Sequence, residues 1–126
     1  MADWTKVNFD EVKERSPDPA AMQWRFTRDV LDSTELGVSR FRFEPGTRMP
    51  FGHRHREQEE VYVVVSGSGR LKLDDERVDV APWDVIRVAP STARGFEAGP
   101  EGLEVICLGG RRPEGGDGEP AEGFWD

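Results

Sequence analysis

Between residues 24 and 108 the chain holds no ten-residue stretch with the apolar spacing of an amphipathic helix, so this region must build its core from strands. Short segments rich in aromatic and β-branched residues recur there, each closed by a turn signal: "MQWRFTRDVL", "LGVSRFRFEPG", "EVYVVVSG", "GRLKLDDERVDV", "DVIRVAP", "ARGFEAG" and "LEVICLGG". Strands spaced at about 8 to 12 residues without crossover helices predict an antiparallel sandwich or barrel. The stretches Ser66–Gly69 and Asp74–Glu76 are read as hairpin turns. There is no internal repeat.

The 126 residues suffice for one domain with one core. Residues 1–23 form a polar N-terminal arm, residues 24–108 the barrel, and residues 109–126 an acidic Gly/Pro-rich tail. In the arm, Asn8 with Glu11 three residues on could cap a short helix, or the segment could run extended. The composition of the tail, "GGRRPEGGDGEPAEGFWD", reads as disorder. Phe124 and Trp125 at its end argue the other way. Large aromatics are costly to leave in water, and they predict docking on the barrel or on a second subunit.

A net charge of -8 argues against a nucleic-acid binder, whose phosphate contacts need a basic face. No apolar run approaches the length of about 18 residues that a membrane span requires. The single cysteine, Cys107, excludes a disulfide within the chain and points to a reducing compartment. With no signal-like apolar segment at the N-terminus, the sequence reads as cytoplasmic. The net charge does not fix the ligand's sign, because a site's local field can oppose it.

The only two histidines, His53 and His55, lie in "GTRMPFGHRHREQEEVYVVVSG", residues 46–67. On a strand, residues i and i+2 share a face, so this H-x-H pair projects two imidazoles into one space. Glu59 or Glu60, at the start of the next strand, can add a carboxylate. Two His and one carboxylate suit Fe(II), Mn(II) or Zn(II) and leave positions open for substrate or water. The plainer reading has the pair only hydrogen-bonding at a barrel mouth.

This segment resembles the first motif of the cupin family: a Gly, His-x-His, Glu, then a Gly. His53, His55, Glu60 and Gly67 match with four and six residues intervening, and Gly46 matches loosely. Glu59 fits a shorter spacing to His55 but misses the count to Gly67. A second stretch, "DVAPWDVIRVAPSTARGFEA", is similar in outline to the family's second motif: Asp84, Pro90 and Phe96 fall in place. Trp83 and Ser91 stand where Gly is usual, and Arg94 stands where a fourth ligand, a His, is usual. The resemblance spans residues 36–108. It implies an all-β, single-domain double-stranded β-helix (jelly-roll) barrel, commonly a homodimer. It implies a divalent metal (Fe, Mn, Ni or Zn) at His53, His55 and Glu60, with Glu59 as the alternative, and a small-molecule ligand inside. It implies no single reaction.

Arg94 has no lone pair to give and stays charged, so it cannot ligate. Three arrangements remain open. Arg94 faces the cavity and clamps an anionic ligand beside the metal. Or it pairs with Glu60 or Glu59, and the barrel works without metal, as a binder or sensor of an anionic metabolite or as a His-based epimerase or isomerase. Or it is an exposed rim residue. In the second case Glu57, Glu59 or Glu60 would orient the histidine.

Tyr62, Met49 and Phe51 fall on the predicted site face by alternation, with core filling as the plainer role for Met49 and Phe51. Cys107 alternates with Val105 and Leu103; it reaches the cavity if they face inward, and is otherwise a small core residue. Phe41 and Phe43 are expected in the core, with Arg40 and Arg42 on the surface. Trp83 sits at a turn, packing on a loop or narrowing the mouth. Trp4, Phe9, Phe124 and Trp125 are the candidates for a subunit contact.

Overall fold

The computed structural model describes residues 3–126. A single 3-10 turn, Phe9–Glu11, precedes eight strands: β1 (Met22–Phe26), β2 (Gly37–Phe43), β3 (Gly52–His55), β4 (Glu60–Leu73), β5 (Glu76–Val80), β6 (Val85–Val88), β7 (Arg94–Gly109) and β8 (Gly118–Ala121). The Asn8 side chain accepts from the Asp10 amide and caps that turn, and the arm then runs extended, making one isolated antiparallel bridge to β1 at Glu14↔Arg25.

Every strand pairing is antiparallel. The sheet runs β1-β2-β7-β3-β8, and β4 pairs with β5, β6 and β7. The long strands β4 and β7 hold the barrel together. The C-terminal half of β7 lies between β2 and the first half of β4, while its N-terminal half pairs with the second half of β4 and touches β3 at His53↔Arg94.

The expected hairpin at Ser66–Gly69 is not there. β4 runs straight through it, with register shifts against β7 at Val64/Ser66 and Gly67/Gly69. These bulges turn the strand without ending it. Gly67 has φ 83°, and a Cβ placed on it would lie 2.1 Å from the Gly102 carbonyl oxygen, so glycine alone lets the two bent strands meet. The turn at Asp74–Asp75 does connect β4 to β5 as expected, with Asp74 at φ 52°.

The core is the set of inward residues on these strands: Phe43, Val64, Leu71, Phe96, Leu103 and Val105 are all at most 3% exposed. Phe41 and Phe43 are buried, while Arg40 and Arg42 pair with Glu104 on the outside, as the alternation of β2 requires. Trp83 neither packs on a loop nor narrows the mouth. It is 73% exposed, and its φ of 74° is a left-handed conformation that suits glycine far better than a bulky side chain.

The tail does not follow its composition. Its β8 pairs with β3 from Gly52↔Ala121 to His55↔Gly118. Phe124 packs over Gly52 and Gly95, and a Cβ on Gly52 would meet the Phe124 ring at 2.3 Å. Trp125 Nε1 donates to the Met49 carbonyl at 2.8 Å, and Lys72 Nζ donates to the Phe124 carbonyl while lying over its ring. Of the candidates for a subunit contact, Phe124 and Trp125 are thus packed within their own chain, and Trp4 remains 73% exposed. No helix among the described residues is long and apolar enough to cross a membrane.

Phe96 is fully buried between Phe43 and Tyr62. Phe96→Ala is expected to cost about 3–5 kcal/mol in urea unfolding. Trp83→Gly is expected to raise stability by about 1 kcal/mol, because it removes a left-handed side chain that packs on nothing; a loss of stability in the same assay would contradict that view of the turn.

Candidate metal centre

Strand β3 delivers His53 and His55 to one face, and β4 opens with Glu60 opposite them. The candidate ligand atoms of these three residues all lie within 4.8 Å of one another. The imidazole centroids are 5.1 Å apart, edge to face. His53 Nε2 is 3.8 Å and His55 Nε2 is 3.4 Å from Glu60 Oε1. Glu59 is not part of the cluster. The strand alternation sends it outward, where it pairs with Arg87 at the surface.

Arg94 corrects two expectations. It is neither at the rim nor facing the cavity, for it is 0% exposed. Its Nη1 donates to Glu60 Oε1 at 2.8 Å, its Nε to the Thr92 carbonyl at 2.9 Å, and its Nη2 to the Ala89 carbonyl at 2.7 Å. A buried guanidinium must be compensated this way, because its desolvation costs several kcal/mol. These bonds occupy Arg94 with its own chain, and it is not among the residues lining the cavity. It pairs with Glu60, as in the second of the arrangements left open by the sequence.

Glu60 is surrounded by donors. The Tyr62 hydroxyl donates to Oε1 at 2.7 Å and the Cys107 thiol to Oε2 at 3.4 Å. Burial opposes its charge, but the two imidazoles and the Tyr62 hydroxyl outweigh burial, so the carboxyl is held far below its usual range. Burial, followed by the Glu60 charge, pushes Tyr62 and Cys107 well up, so both remain protonated donors and the thiol is no nucleophile. Met49 and Phe51 line the same cavity, Met49 buried and Phe51 half exposed.

The residue that sequence reasoning missed is Asp117. It lies in the tail, 3% exposed, with Oδ1 at 2.9 Å from His55 Nδ1. Its Oδ2 accepts from the amides of Glu57 at 2.7 Å and Gln58 at 2.8 Å. Asp117, not Glu57, Glu59 or Glu60, is therefore the carboxylate that orients His55. Burial raises its pKa, but those amides and His55 outweigh burial and hold it below its usual value. Nothing in "GGDGEP" marks this aspartate: its role depends on β8 bringing it 62 residues back to His55.

With Nδ1 held by Asp117, His55 turns Nε2 toward Glu60 and His53. That atom is buried and has no hydrogen-bond partner among the described residues. A lone pair facing a carboxylate oxygen at 3.4 Å calls for a cation between them, either a proton or a metal ion. The donor set, two imidazoles and a carboxylate with an outer carboxylate fixing one ring, fits a divalent transition metal. In the metal-free protein a proton bound there is stabilised by Glu60, 3.4 Å away. Burial disfavours charge on His55, and Glu60 and Asp117 overcome it, so its pKa is raised. The expected result of Asp117→Asn is a fall in the His55 pKa, followed by NMR titration of the metal-free protein; an unchanged value would remove Asp117 from this role.

A family model described as "Cupin domain" matches residues 39–109, more than half of the chain, and the protein belongs to the cupin family. An uncharacterized protein of Methanocaldococcus jannaschii is 34% identical over 56 residues, which are 44% of this chain and 45% of that protein, so the match spans less than half of that relative. Among solved structures, a cupin protein from Bacteroides fragilis superposes with a TM-score of 0.74 at 24% identity, covering 88% of this chain and 86% of that one. A structure described as a sugar phosphate isomerase of the cupin superfamily from Silicibacter pomeroyi gives 0.73 at 22% identity, covering 86% and 77%. At these identities the structural likeness speaks for the fold.

Proposed function

We propose that this protein is a metal-dependent cupin that acts on a small molecule in the cavity of about 540 Å³ beside His53, His55 and Glu60. The observation that carries this reading is the buried, unpartnered Nε2 of His55, held by Asp117 so that it faces the other two candidate ligands. A bound divalent ion would supply Lewis acidity, polarising a carbonyl or lowering the pKa of a bound water. The chain's own residues do the rest. Arg94, Tyr62 and Cys107 fix the Glu60 carboxylate, Asp117 fixes the His55 ring, and Met49 and Phe41 supply apolar wall to the cavity.

The His55–Asp117 pair also favours a second reading, in which the site holds no metal and His55 moves a proton to or from the ligand as in an epimerase or isomerase. Retention of both His53 and Glu60 around the same point supports the metal reading over it. Metal-free anion binding by Arg94 has no support, since that guanidinium is engaged on all sides. The isolated cysteine fits a reducing, cytoplasmic setting. The exposed Trp4, Trp83 and Val85 are surfaces a homodimer would cover, which sedimentation of wild type beside Trp83→Glu would test.

The deciding experiment is metal content by mass spectrometry on protein without a tag, wild type beside the His53→Ala/His55→Ala double variant. Near-stoichiometric metal in the wild type and none in the variant is expected. No metal in either, even after incubation with Fe(II), Mn(II), Ni(II) and Zn(II), would overturn the metal reading in favour of proton transfer. Because a proton and a metal compete for His55 Nε2, Zn(II) affinity is expected to weaken as pH falls through the raised His55 pKa. The sign for stability without metal runs the same way. The raised pKa stabilises the fold fully below the unfolded value of about 6.5, and that contribution is lost as pH rises through the folded value.

A further inference from the structure

The cavity beside the candidate metal centre has a wall of aromatic rings. Phe26, Phe41, Trp24 and Phe51 all line it, and they form one chain of edge-to-face contacts, with successive centroids 5.8, 6.2 and 6.5 Å apart. Strand alternation builds this wall. Trp24 and Phe26 lie two residues apart on β1 and share a face, and the pairing Trp24↔Phe41 sets β2 beside them. Phe51 precedes His53 by two residues and lines the cavity with it, so the wall ends at the candidate ligands.

These rings are not covered as core rings are. Phe41 is buried, but Phe26 is 40% and Phe51 is 48% exposed, and Val30 at the same cavity is exposed as well. Large apolar side chains held open around one concavity are costly in water, and such a patch marks a place for an apolar body.

Polar groups along the wall are engaged elsewhere. Trp24 meets the cavity with ring carbon, since its Nε1 is buried. Arg28 lies over Gly37 and Gly109, so close that a Cβ on Gly37 would be 2.4 Å from its Nη2 and one on Gly109 3.5 Å. Nη2 donates to the Gly110 carbonyl at 2.7 Å, and Nη1 is buried. Gln58 Nε2 donates to the same carbonyl at 2.9 Å, and Arg112 pairs with Asp29. Ser39 adds one hydroxyl. A polyol or a small dianion laid along this wall would exchange its hydration for ring carbon, which is unfavourable. Polar atoms return at the far end. His53 is the most open of the three candidate ligands there, with a side chain 25% exposed against 11% for His55 and 12% for Glu60.

We propose that the substrate is an aryl compound, a flat aromatic ring that lies against Phe26, Trp24 and Phe51 and presents a hydroxyl or carbonyl oxygen at the His53 end. This names a substrate class for the proposed function and rests on that reading, although the ring contacts themselves need no metal. A flat ring suits the wall better than a saturated one because it extends the edge-to-face pattern, and each such pair adds about twofold to tenfold in affinity beyond the area it buries. It suits the wall better than an aliphatic chain because it has fewer rotors to immobilise.

The test is binding of phenol, benzyl alcohol and acetophenone to the full chain incubated with Zn(II), followed by calorimetry and ligand-observed NMR. Each stands beside its saturated counterpart: cyclohexanol, cyclohexylmethanol and acetylcyclohexane. Oxalate and glucose 6-phosphate are the polar competitors, and they also measure the pull of Lys13 and Arg15, which border the cavity from exposed positions on the arm. At least one aryl probe is expected to bind about threefold or more tightly than its saturated counterpart, and about tenfold or more tightly than either anion. Phe51→Ala and Phe26→Ala, at positions open enough for the fold to tolerate them, are each expected to weaken that probe by about threefold to tenfold. Trp83→Ala, which removes an exposed ring away from the cavity, is expected to leave it unchanged.

The same order of affinities is expected after chelator treatment, which separates this inference from the metal reading. Aryl preference in a protein that takes up no metal would support the ring site while the metal reading fails. Stoichiometric metal without aryl preference would sink the ring site alone. Two further results would overturn it: an anion binding more tightly than every aryl probe, or Phe51→Ala dispersing a dimer while no aryl probe binds, which would put a second copy over the rings.

Discussion

The interior is organised around one buried carboxylate. Glu60, at the head of β4, takes an ion pair from Arg94, a hydroxyl bond from Tyr62 and a thiol contact from Cys107, and it faces both imidazoles. Arg94 can be fully buried only because Glu60 and three backbone carbonyls meet its N–H groups. Neither charge would be tolerated there without the other. Their charges cancel, so an added cation meets the field of Asp117 and the lone pairs of the two histidines. A divalent ion would leave the centre with one positive charge.

The backbone makes this cluster possible in two ways. β4 and β7 are long enough to pair twice, and their bend at Gly67 and Gly102 folds one sheet around a common interior. β8 then covers β3 and carries Asp117 to His55. The tail is thus part of the site. It adds the outer carboxylate that orients a ring, and it closes the sheet edge beside the histidines with Phe124 and Trp125.

Much of the architecture was legible in the sequence, because strand periodicity is local. The alternation of Phe41 and Phe43 with Arg40 and Arg42, and of Tyr62 with Glu60, follows from the pleat. So does the shared face of His53 and His55. The resemblance to the cupin motif, by its count from His55 to Glu60 to Gly67, separated Glu60 from Glu59, whose outward direction the strand then imposes. The Ser66–Gly69 stretch misled because the same residues that end a strand can also bulge it, and only the partner strand decides between the two. Trp83 gave no sign that it takes a glycine-like backbone conformation in the open.

What the sequence determined by itself was the all-β class and the face on which the histidines lie, since each depends on spacing along one or two adjoining strands; the third metal-binding candidate, Glu60 and not Glu59, followed from the resemblance to the cupin motif. What the tertiary structure decided was the environment of those residues. Arg94 turned inward to Glu60 instead of toward a ligand, Asp117 arrived from a segment whose composition reads as loose, and Arg28 settled over a pair of glycines. Burial, long-range pairing and charge compensation join positions dozens of residues apart, and no local pattern encodes such meetings.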